Sequence, residues 1–453
     1  MKLTGVLLLT LSAITPAASV YVILPGVIQT AGSGTIISLV VASVVGLAIA
    51  FIYAELASAY PISGGEYTFF GRTLGPLVGF AYMGMNAISC GFAPAVLALG
   101  AGNYLRAIWP DLPVVPFAIG MCGFATICGV LNIRTNAVLT GLFLAVELIA
   151  LVVLAALGFL HPSRGVAELV VHPVILKGGV LAPAPIAAIG LATAVAIFAF
   201  NGSGAAVYFS EEMHDAPRRV ARAIVLSFVV TVAFEFIPTF AVLLGAPDLK
   251  ALIASPSPFS DFVALRGGRA LNIAVSLGVA LASVNALIAI VLVFARFFYA
   301  TGRDRAWPAP ISSALTRIHP RLHSPWVADL TAGGLATIGC FVPFHLLLVL
   351  TGTGVVVMYA LLCIGVMAGR RNGSTAHRAY HQPLYPVAPV LGLVTLAYVL
   401  YTDWLDTDVG RPSLFATVIT AAVAFAYCIA MRRRRGPDWD ITIPAGEEQP
   451  ADA

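Results

Sequence analysis

The chain has 453 residues, of which 59% are hydrophobic and only 10% charged. That balance excludes a soluble fold of this length and leaves a polytopic membrane protein, with the lipid bilayer as its surroundings and no nucleic-acid partner expected. The formal net charge of +4 says little, because the placement of basic residues, not their sum, sets orientation in a membrane.

Apolar runs predict an all-α chain with 12 spanning helices, at about residues 5–31, 35–59, 76–108, 114–133, 137–160, 186–209, 221–245, 269–300, 326–343, 346–369, 384–403 and 413–431, each able to cross about 30 Å of hydrocarbon. The first run has two readings. Met1-Lys2, the apolar stretch from Leu3 to Ile14 and Pro16-Ala-Ala-Ser19 imitate a secretory signal with a small-residue cleavage site. Cleavage there would strand 20–31 as half a helix, so the run is read as the first span. Within it, Leu11-Ser-Ala-Ile-Thr-Pro-Ala-Ala-Ser-Val20 predicts a break. Pro16 cannot donate to the helix ladder, and Thr15 before it is pushed away from helical geometry. The small residues Ala17, Ala18 and Ser19 then let backbone approach a ligand. A plain proline kink is the competing reading.

The sixth run carries a second interruption, Phe198-Ala-Phe-Asn-Gly-Ser-Gly204, at the centre of its apolar stretch. Glycine inside a helix is about 1 kcal/mol worse than alanine. An opened turn in lipid leaves N–H and C=O groups unpaired at several kcal/mol each, so it survives only where protein or a wet cavity surrounds it. A solute with a carboxylate and an amine supplies the missing partners. Close helix packing on small residues is the competing reading here. The expected binding residues are Thr15, Ala17, Ala18, Ser19, Phe200, Asn201, Gly202, Ser203 and Gly204, with Phe198 or Phe200 as an aromatic lid.

Two acidic residues fall inside spans. Glu147 lies mid-run in Leu144-Ala-Val-Glu-Leu-Ile149, where a carboxylate costs several kcal/mol unless paired, solvated or protonated. Glu235, in Phe234-Glu-Phe236 near Pro238, is read as structural or as part of an outer vestibule. Glu55, Glu66, Glu211 and Glu212 sit at predicted inner boundaries and are expected to pair with Arg72, Arg218 and Arg303 as an inner gate or lock. Asn86, Ser283, Asn285 and Thr351-Gly-Thr-Gly354 either face the solute path or bond neighbouring helices. The six cysteines lie in apolar runs without ligand spacing and read as small buried side chains. His214, His319 and His345 show no ligand spacing either, so no metal and no cofactor are expected.

Orientation follows from the basic residues. With the N-terminus inside, Lys2, Arg72, Arg134, Arg218, Arg219, Arg222, Arg303, Arg305, Arg317, Arg321, Arg370, Arg371, Arg378 and Arg432–Arg435 fall in the cytosol, against Arg106, Arg164, Lys177, Lys250, Arg266, Arg269 and Arg411 outside. This predicts a multi-pass protein of the inner (cytoplasmic) membrane with both termini cytoplasmic. Outer loops instead hold Asp403, Asp406 and Asp408. Spans one to five and six to ten then run in opposite senses, each set opening with an interrupted helix, which is the inverted-repeat plan of secondary transporters. The expected domains are a transporter core at 1–370, with repeats at about 5–160 and 186–369, peripheral helices 11 and 12 within 371–431 that offer a candidate homodimer contact, and a disordered cytosolic tail at 432–453.

Four places together resemble bacterial amino acid permeases of the amino acid–polyamine–organocation (APC) superfamily. They are Tyr53-Ala-Glu-Leu-Ala57 with Pro61-Ile-Ser-Gly-Gly-Glu-Tyr67; Phe198-Ala-Phe-Asn-Gly202; Ser210-Glu-Glu212 with Pro217-Arg-Arg219; and Ala295-Arg-Phe-Phe-Tyr-Ala300 with Gly302-Arg-Asp-Arg-Ala-Trp-Pro308. The match is spread over about residues 5–370. It implies a 5+5 inverted repeat with discontinuous helices 1 and 6, and amino acid transport. Members often carry Gly-Ser-Gly-Ile-Phe at the first break, whose free amides hold the substrate carboxylate. Here Ile14-Thr-Pro-Ala-Ala-Ser-Val20 removes one amide and offers the Thr15 and Ser19 hydroxyls instead. A fifth-helix Lys is assigned proton coupling in the family, and Glu147 occupies the matching place. Glu147 is therefore read as a proton-coupling candidate, beside the alternative of a neutral structural hydrogen bond.

No P-loop or catalytic triad is visible, so no enzyme activity is expected and energy must come from a gradient or from exchange. Proton symport is the leading expectation. Sodium symport, amino acid or amine exchange, and a channel are the rivals. The expected site holds no acidic residue, which favours a neutral amino acid over a polyamine.

Overall fold

The computed structural model describes residues 2–106, 109, 111–131, 133–405, 407 and 410–435. Asp406, Asp408 and the acidic, proline-rich part of the predicted tail lie outside the described residues, as do the side chains of Arg134 and His345. The chain is mostly helical, and helices occupy every stretch predicted to span. Among the described residues, nine helices are long and apolar enough to cross a membrane, the run Leu3–Ala59 counting as one, and Val114–Val130 is a shorter apolar helix. Large apolar side chains such as Ile127, Leu142, Ile149 and Val418 are more than 60% exposed, as lipid-facing residues are in a protein whose solvent is hydrocarbon.

The long Pro258–Arg303 helix leaves helical geometry at Gly268 (φ 81°, ψ 170°), just before the predicted eighth span. Two local results differ from the sequence-based expectations. Arg432–Arg435, expected to open the disordered tail, are helical and close the Gly410–Arg435 helix. The all-α expectation is corrected by a hairpin between the fifth and sixth spans, where Val174–Lys177 pairs antiparallel with Val180–Pro183. Gly178 and Gly179, both at positive φ, make its turn, and Gly-Gly between β-branched residues is a hairpin signal. The hairpin seats on the turn after the first span. Val174 N donates to Ser33 Oγ at 2.9 Å, and a Cβ on Gly32 (φ 56°) would lie 1.9 Å from the Val174 carbonyl oxygen.

At the centre of the bundle the Ile133–Leu160 helix packs on both Ala216–Gly245 and Pro258–Arg303, and all three pack on Leu3–Ile14. Thr35–Ala59 joins them through Ala216–Gly245 and Ile186–Ala199. Two interrupted helices therefore pass through the middle of the packing, where opened backbone is shielded from lipid.

Candidate solute-binding cavity

Leu3–Ile14 ends at Thr15, which takes a left-handed conformation (φ 51°, ψ 74°) and caps the helix by donating its N–H to the Leu11 carbonyl at 2.9 Å. Pro16 starts a single turn, Pro16–Ala18, where its missing N–H costs nothing. A wide π turn, Ser19–Ile23, follows before regular helix resumes at Leu24–Ala31. The second interruption starts where Ile186–Ala199 stops. Phe200 and Asn201 turn away, Gly202 sits at φ 123°, and a 3-10 helix runs from Ser203 to Glu212.

The two interruptions touch. Ser19 Oγ donates to the Ala199 carbonyl at 3.2 Å. A Cβ on Gly202 would come within 2.9 Å of Ile14 Cγ1, so only glycine combines this φ with this approach. Beside the junction lies a cavity of about 340 Å³ lined by Thr15, Ala18, Ser19, Phe200, Asn201, Gly202, Ser203 and Gly204. Ala17, expected with them, is fully buried and absent from the lining; its N–H points instead to Glu147. Phe198 also lines the cavity, whereas the Phe200 ring packs edge-on against Phe228 with centroids 6.1 Å apart, which leaves Phe198 the freer of the two proposed lids. Asn86, Ser283, Thr351 and Gly354 reach the wall, as their spans suggested, but Asn285 does not.

Glu147 is fully buried behind the first interruption. Its Oε1 accepts from Ala17 N at 2.8 Å and from Thr15 Oγ1 at 3.0 Å, so this one carboxyl holds the non-helical turn in place. With Pro16 lacking an N–H and the Ser19 amide donating to the Thr15 carbonyl, the first interruption has few amides to spare for a ligand. The start of the 3-10 helix at Gly202–Gly204 keeps the unpaired N–H groups of a helix N-terminus.

Sequence reasoning missed the tyrosines. Tyr53, Tyr82, Tyr208 and Tyr359 all line the cavity, and Tyr359 donates to Asn201 Oδ1 at 2.7 Å. Tyr53 and Tyr208 each donate to one oxygen of Glu66, which also reaches the wall. The expectation of a site without an acidic residue is thereby corrected. Glu66 opens the inner-loop helix Glu66–Leu74; burial pushes its carboxyl up, while the hydrogen bonds from Tyr208 and Tyr53 oppose that shift. The signal lay in Tyr53 and Tyr208, but only the fold brings two such distant residues to one carboxylate.

The ion pairs expected at the predicted inner boundary also differ in detail. Both carboxyl oxygens of Glu211 accept from Arg303 Nη1 at 3.0 Å, as expected. Glu55, however, is held by Arg370 at 2.6 and 2.7 Å and lies 3.0 Å from Arg378 Nε, and Glu212 pairs with Arg296 at 3.2 Å. Tyr67 donates to Asp304 at 2.6 Å beneath them. The six cysteines are free and buried.

A family model described as amino acid permease matches residues 2–428. An uncharacterised transporter of Mycobacterium tuberculosis is 30% identical over 395 residues, covering 84% of this chain and 82% of its own. A branched-chain amino acid permease of Bacillus subtilis is 25% identical, covering 83% and 82%. A low-affinity putrescine importer of Escherichia coli is 21% identical, covering 83% and 81%. On these matches, the multi-pass membrane chain described above belongs to the amino acid permease family of the APC superfamily.

Proposed function

We propose that this protein moves a neutral amino acid across the cytoplasmic membrane by alternating access, in symport with a proton. In this reading the chain crosses the membrane 12 times with both termini in the cytosol. Residues 1–370 form the core of two inverted five-helix repeats, and the helices within 371–431 flank it. The observation that carries the reading is the contact of two interrupted helices, Ser19 on Ala199 and Gly202 on Ile14, beside one cavity. Thr15, Ala18, Ser19, Phe200, Asn201, Gly202, Ser203 and Gly204 contact the solute. Amides at Gly202–Gly204 take the carboxylate, carbonyls freed around Ala199 take the ammonium, and Ile49, Met85, Phe92 and Val96 receive an aliphatic side chain.

Glu147 links proton and solute. As a carboxylate it grips Ala17 N–H and Thr15 Oγ1. Protonation removes the charge from those two bonds, and charge-assisted bonds are roughly twice as strong as neutral ones. The first interruption then loosens, which lets one bundle rock against the other. The test is uptake into proteoliposomes of each of the 20 common amino acids under an imposed pH gradient. Saturable, gradient-driven uptake with trans-stimulation supports the reading. Unsaturable flux points to a channel, and accumulation that needs sodium points to the rival coupling ion.

One observation favours a second reading, an amine substrate. Glu66 places a carboxyl at the cavity wall among four tyrosines, of which Tyr53 and Tyr208 are its hydrogen-bond donors, and the first interruption spends its Ala17 amide on Glu147. A protonated amine would be held by the carboxylate and by ring faces. Including putrescine and cadaverine in the same uptake screen separates the two substrate classes.

A further inference from the structure

We propose that the coupling proton is held by a pair of carboxyl groups, Glu147 and Glu235, and that Glu235 is its entry point from the solute cavity. The inference rests on the proton-symport reading above and adds a residue to it from another helix.

Glu147 and Glu235 are both fully buried, on the Ile133–Leu160 and Ala216–Gly245 helices, which pack directly on one another. Where these helices pack, the Glu147 carboxyl lies near enough to Glu235 to act on it electrostatically. Around them the hydrogen bonding is incomplete. Glu147 Oε2, both carboxyl oxygens of Glu235, and Oδ1 and Nδ2 of Asn285 are buried without a hydrogen-bond partner among the described residues. Asn285, itself fully buried, lies against the Glu147 carboxyl, and Ser19 lies against that of Glu235. Buried polar groups are satisfied in the great majority of proteins, so several orphaned atoms gathered in one place mark a missing occupant.

Charge identifies that occupant. Two carboxylates in a dry interior cannot both ionise without a cation. None of the groups acting on either residue is basic. Leu3–Ile14 and Pro16–Ala18 contain no titratable side chain, and Tyr21 in the next turn packs on Tyr104 and Phe259. On the helix of Glu235 the nearest cation is Arg222, about 20 Å away along the axis at 1.5 Å per residue. On the Pro258–Arg303 helix, Arg266 bonds the Gly245 carbonyl, Arg296 bonds Glu212 and Arg303 bonds Glu211, while Arg269 and Asp261 belong to the outer half. In the 3-10 helix Tyr208 bonds Glu66. Tyr53 and Glu55 of Thr35–Ala59 are taken by Glu66 and by Arg370 with Arg378, and Glu168 lies beside Arg164. Among the described residues no cation faces the pair, so the positive charge is assigned to a species from outside the protein. Hard metal cations demand a nearly complete oxygen shell. Here the Thr15 hydroxyl already donates to Glu147 and the Ser19 hydroxyl to Ala199, which leaves a set suited to a proton.

The order of the groups gives the route. Ser19 lines the cavity and lies against Glu235; Glu235 lies within reach of the Glu147 charge; Glu147 holds the turn at Thr15 and Ala17. A proton resident on the Glu235 carboxyl passes to Glu147, which neutralises Glu147 and leaves Glu235 a carboxylate. A hydronium in the cavity then gives its proton to Glu235, leaving water, so at least one carboxyl of the pair is neutral at every stage.

The test compares Glu147→Gln, Glu235→Gln and the double variant in proteoliposomes, with a pH dye reporting proton flux and labelled substrate reporting both gradient-driven accumulation and substrate-for-substrate exchange. Each single variant is expected to lose accumulation and coupled proton flux by about ten-fold or more while exchange persists, with the double variant no worse than either. Loss in Glu147→Gln alone, with Glu235→Gln driven like the wild type, overturns the pair and leaves the single-residue reading standing. Full proton-driven accumulation in both single variants sinks both readings. Should Glu235→Gln fail to fold, Glu235→Asp keeps the carboxyl and is expected to retain coupling with a displaced pH profile; an unchanged profile overturns the proposal. Sodium-dependent accumulation by the wild type also overturns it.

Discussion

Ser19 Oγ donates to the carbonyl of Ala199 across 3.2 Å, joining the unwound part of the first helix to the last turn of another helix 180 residues away. The bond satisfies one of the carbonyls that a helix leaves open at its C-terminus, and it does so at the wall of the solute cavity.

Ser19→Ala is therefore expected to free the Ala199 carbonyl and loosen the junction without collapsing the fold. A single buried hydrogen bond contributes about 0.5–1.5 kcal/mol net, which corresponds to a few-fold loss of affinity for a solute that depends on the junction. Half-saturation for uptake, measured beside the melting temperature in detergent, checks this: the first should rise and the second barely move. Ser19→Thr, which keeps the hydroxyl, should fall between.

Gly202→Ala acts on the same junction through backbone and contact together. The residue sits at φ 123°, and the new Cβ would meet Ile14 Cγ1 at 2.9 Å and Ile14 Cα at 3.4 Å. Backbone strain of this kind costs about 1–3 kcal/mol, and the contact adds to it. The variant should melt well below the wild type and lose substrate-induced thermal stabilisation. Gly26→Ala, inside the Leu24–Ala31 helix with no atom within 4 Å of the new Cβ, is the control that should lower neither.

The interruptions were legible because Pro16 and Asn201-Gly202-Ser203-Gly204 violate helix chemistry inside runs that are otherwise helical. The helices were legible from apolar length alone, and nine of those among the described residues are long and apolar enough to cross a membrane. The tyrosines that line the cavity were not, since Tyr53, Tyr82, Tyr208 and Tyr359 sit where any helix tolerates a tyrosine, and only packing turns them to one space. Glu66 was misread for a related reason. Its sequence neighbour Arg72 suggested an ion pair, yet in the fold Tyr53 and Tyr208 donate to both of its oxygens. Glu147 was legible as an expensive mid-membrane carboxyl, but its grip on Ala17 and Thr15 depends on contacts more than a hundred residues apart in the chain.

The Glu55 latch should respond asymmetrically to its two ends. Glu55 is fully buried and holds Arg370, Arg378 and the Gln382 amide together. Arg370 keeps 18% of its side chain exposed, so it can regain water when its partner is lost. Arg370→Ala leaves Glu55 with Arg378 and the amide, whereas Glu55→Ala dissolves the whole cluster. Breaking a buried pair costs about 3–5 kcal/mol, and Glu55→Ala should approach that range while Arg370→Ala stays below it. Chemical or thermal unfolding of the purified variants gives the comparison, and equal losses would contradict the assignment of Glu55 as the centre of the latch.

Glu66 sets a pH dependence whose sign follows from its surroundings. Burial pushes its carboxyl above the usual range, against the pull of the Tyr208 and Tyr53 hydrogen bonds, so the folded protein binds a proton there more readily than the unfolded chain. The stability it contributes is then fully present below the unfolded pKa and is lost as pH rises through the raised folded pKa. Wild-type melting temperature, compared with that of Glu66→Gln, should therefore fall from acidic toward neutral pH, since the Gln side chain has no proton to lose. The difference between the two proteins across pH 4 to 8, measured in one detergent and at one salt concentration, carries the result. A difference that widens in favour of the wild type toward neutral pH would mean that the tyrosine hydroxyls outweigh burial. Glu66 would then be a stabilised anion, and a cavity wall that keeps its negative charge favours an amine over a neutral amino acid.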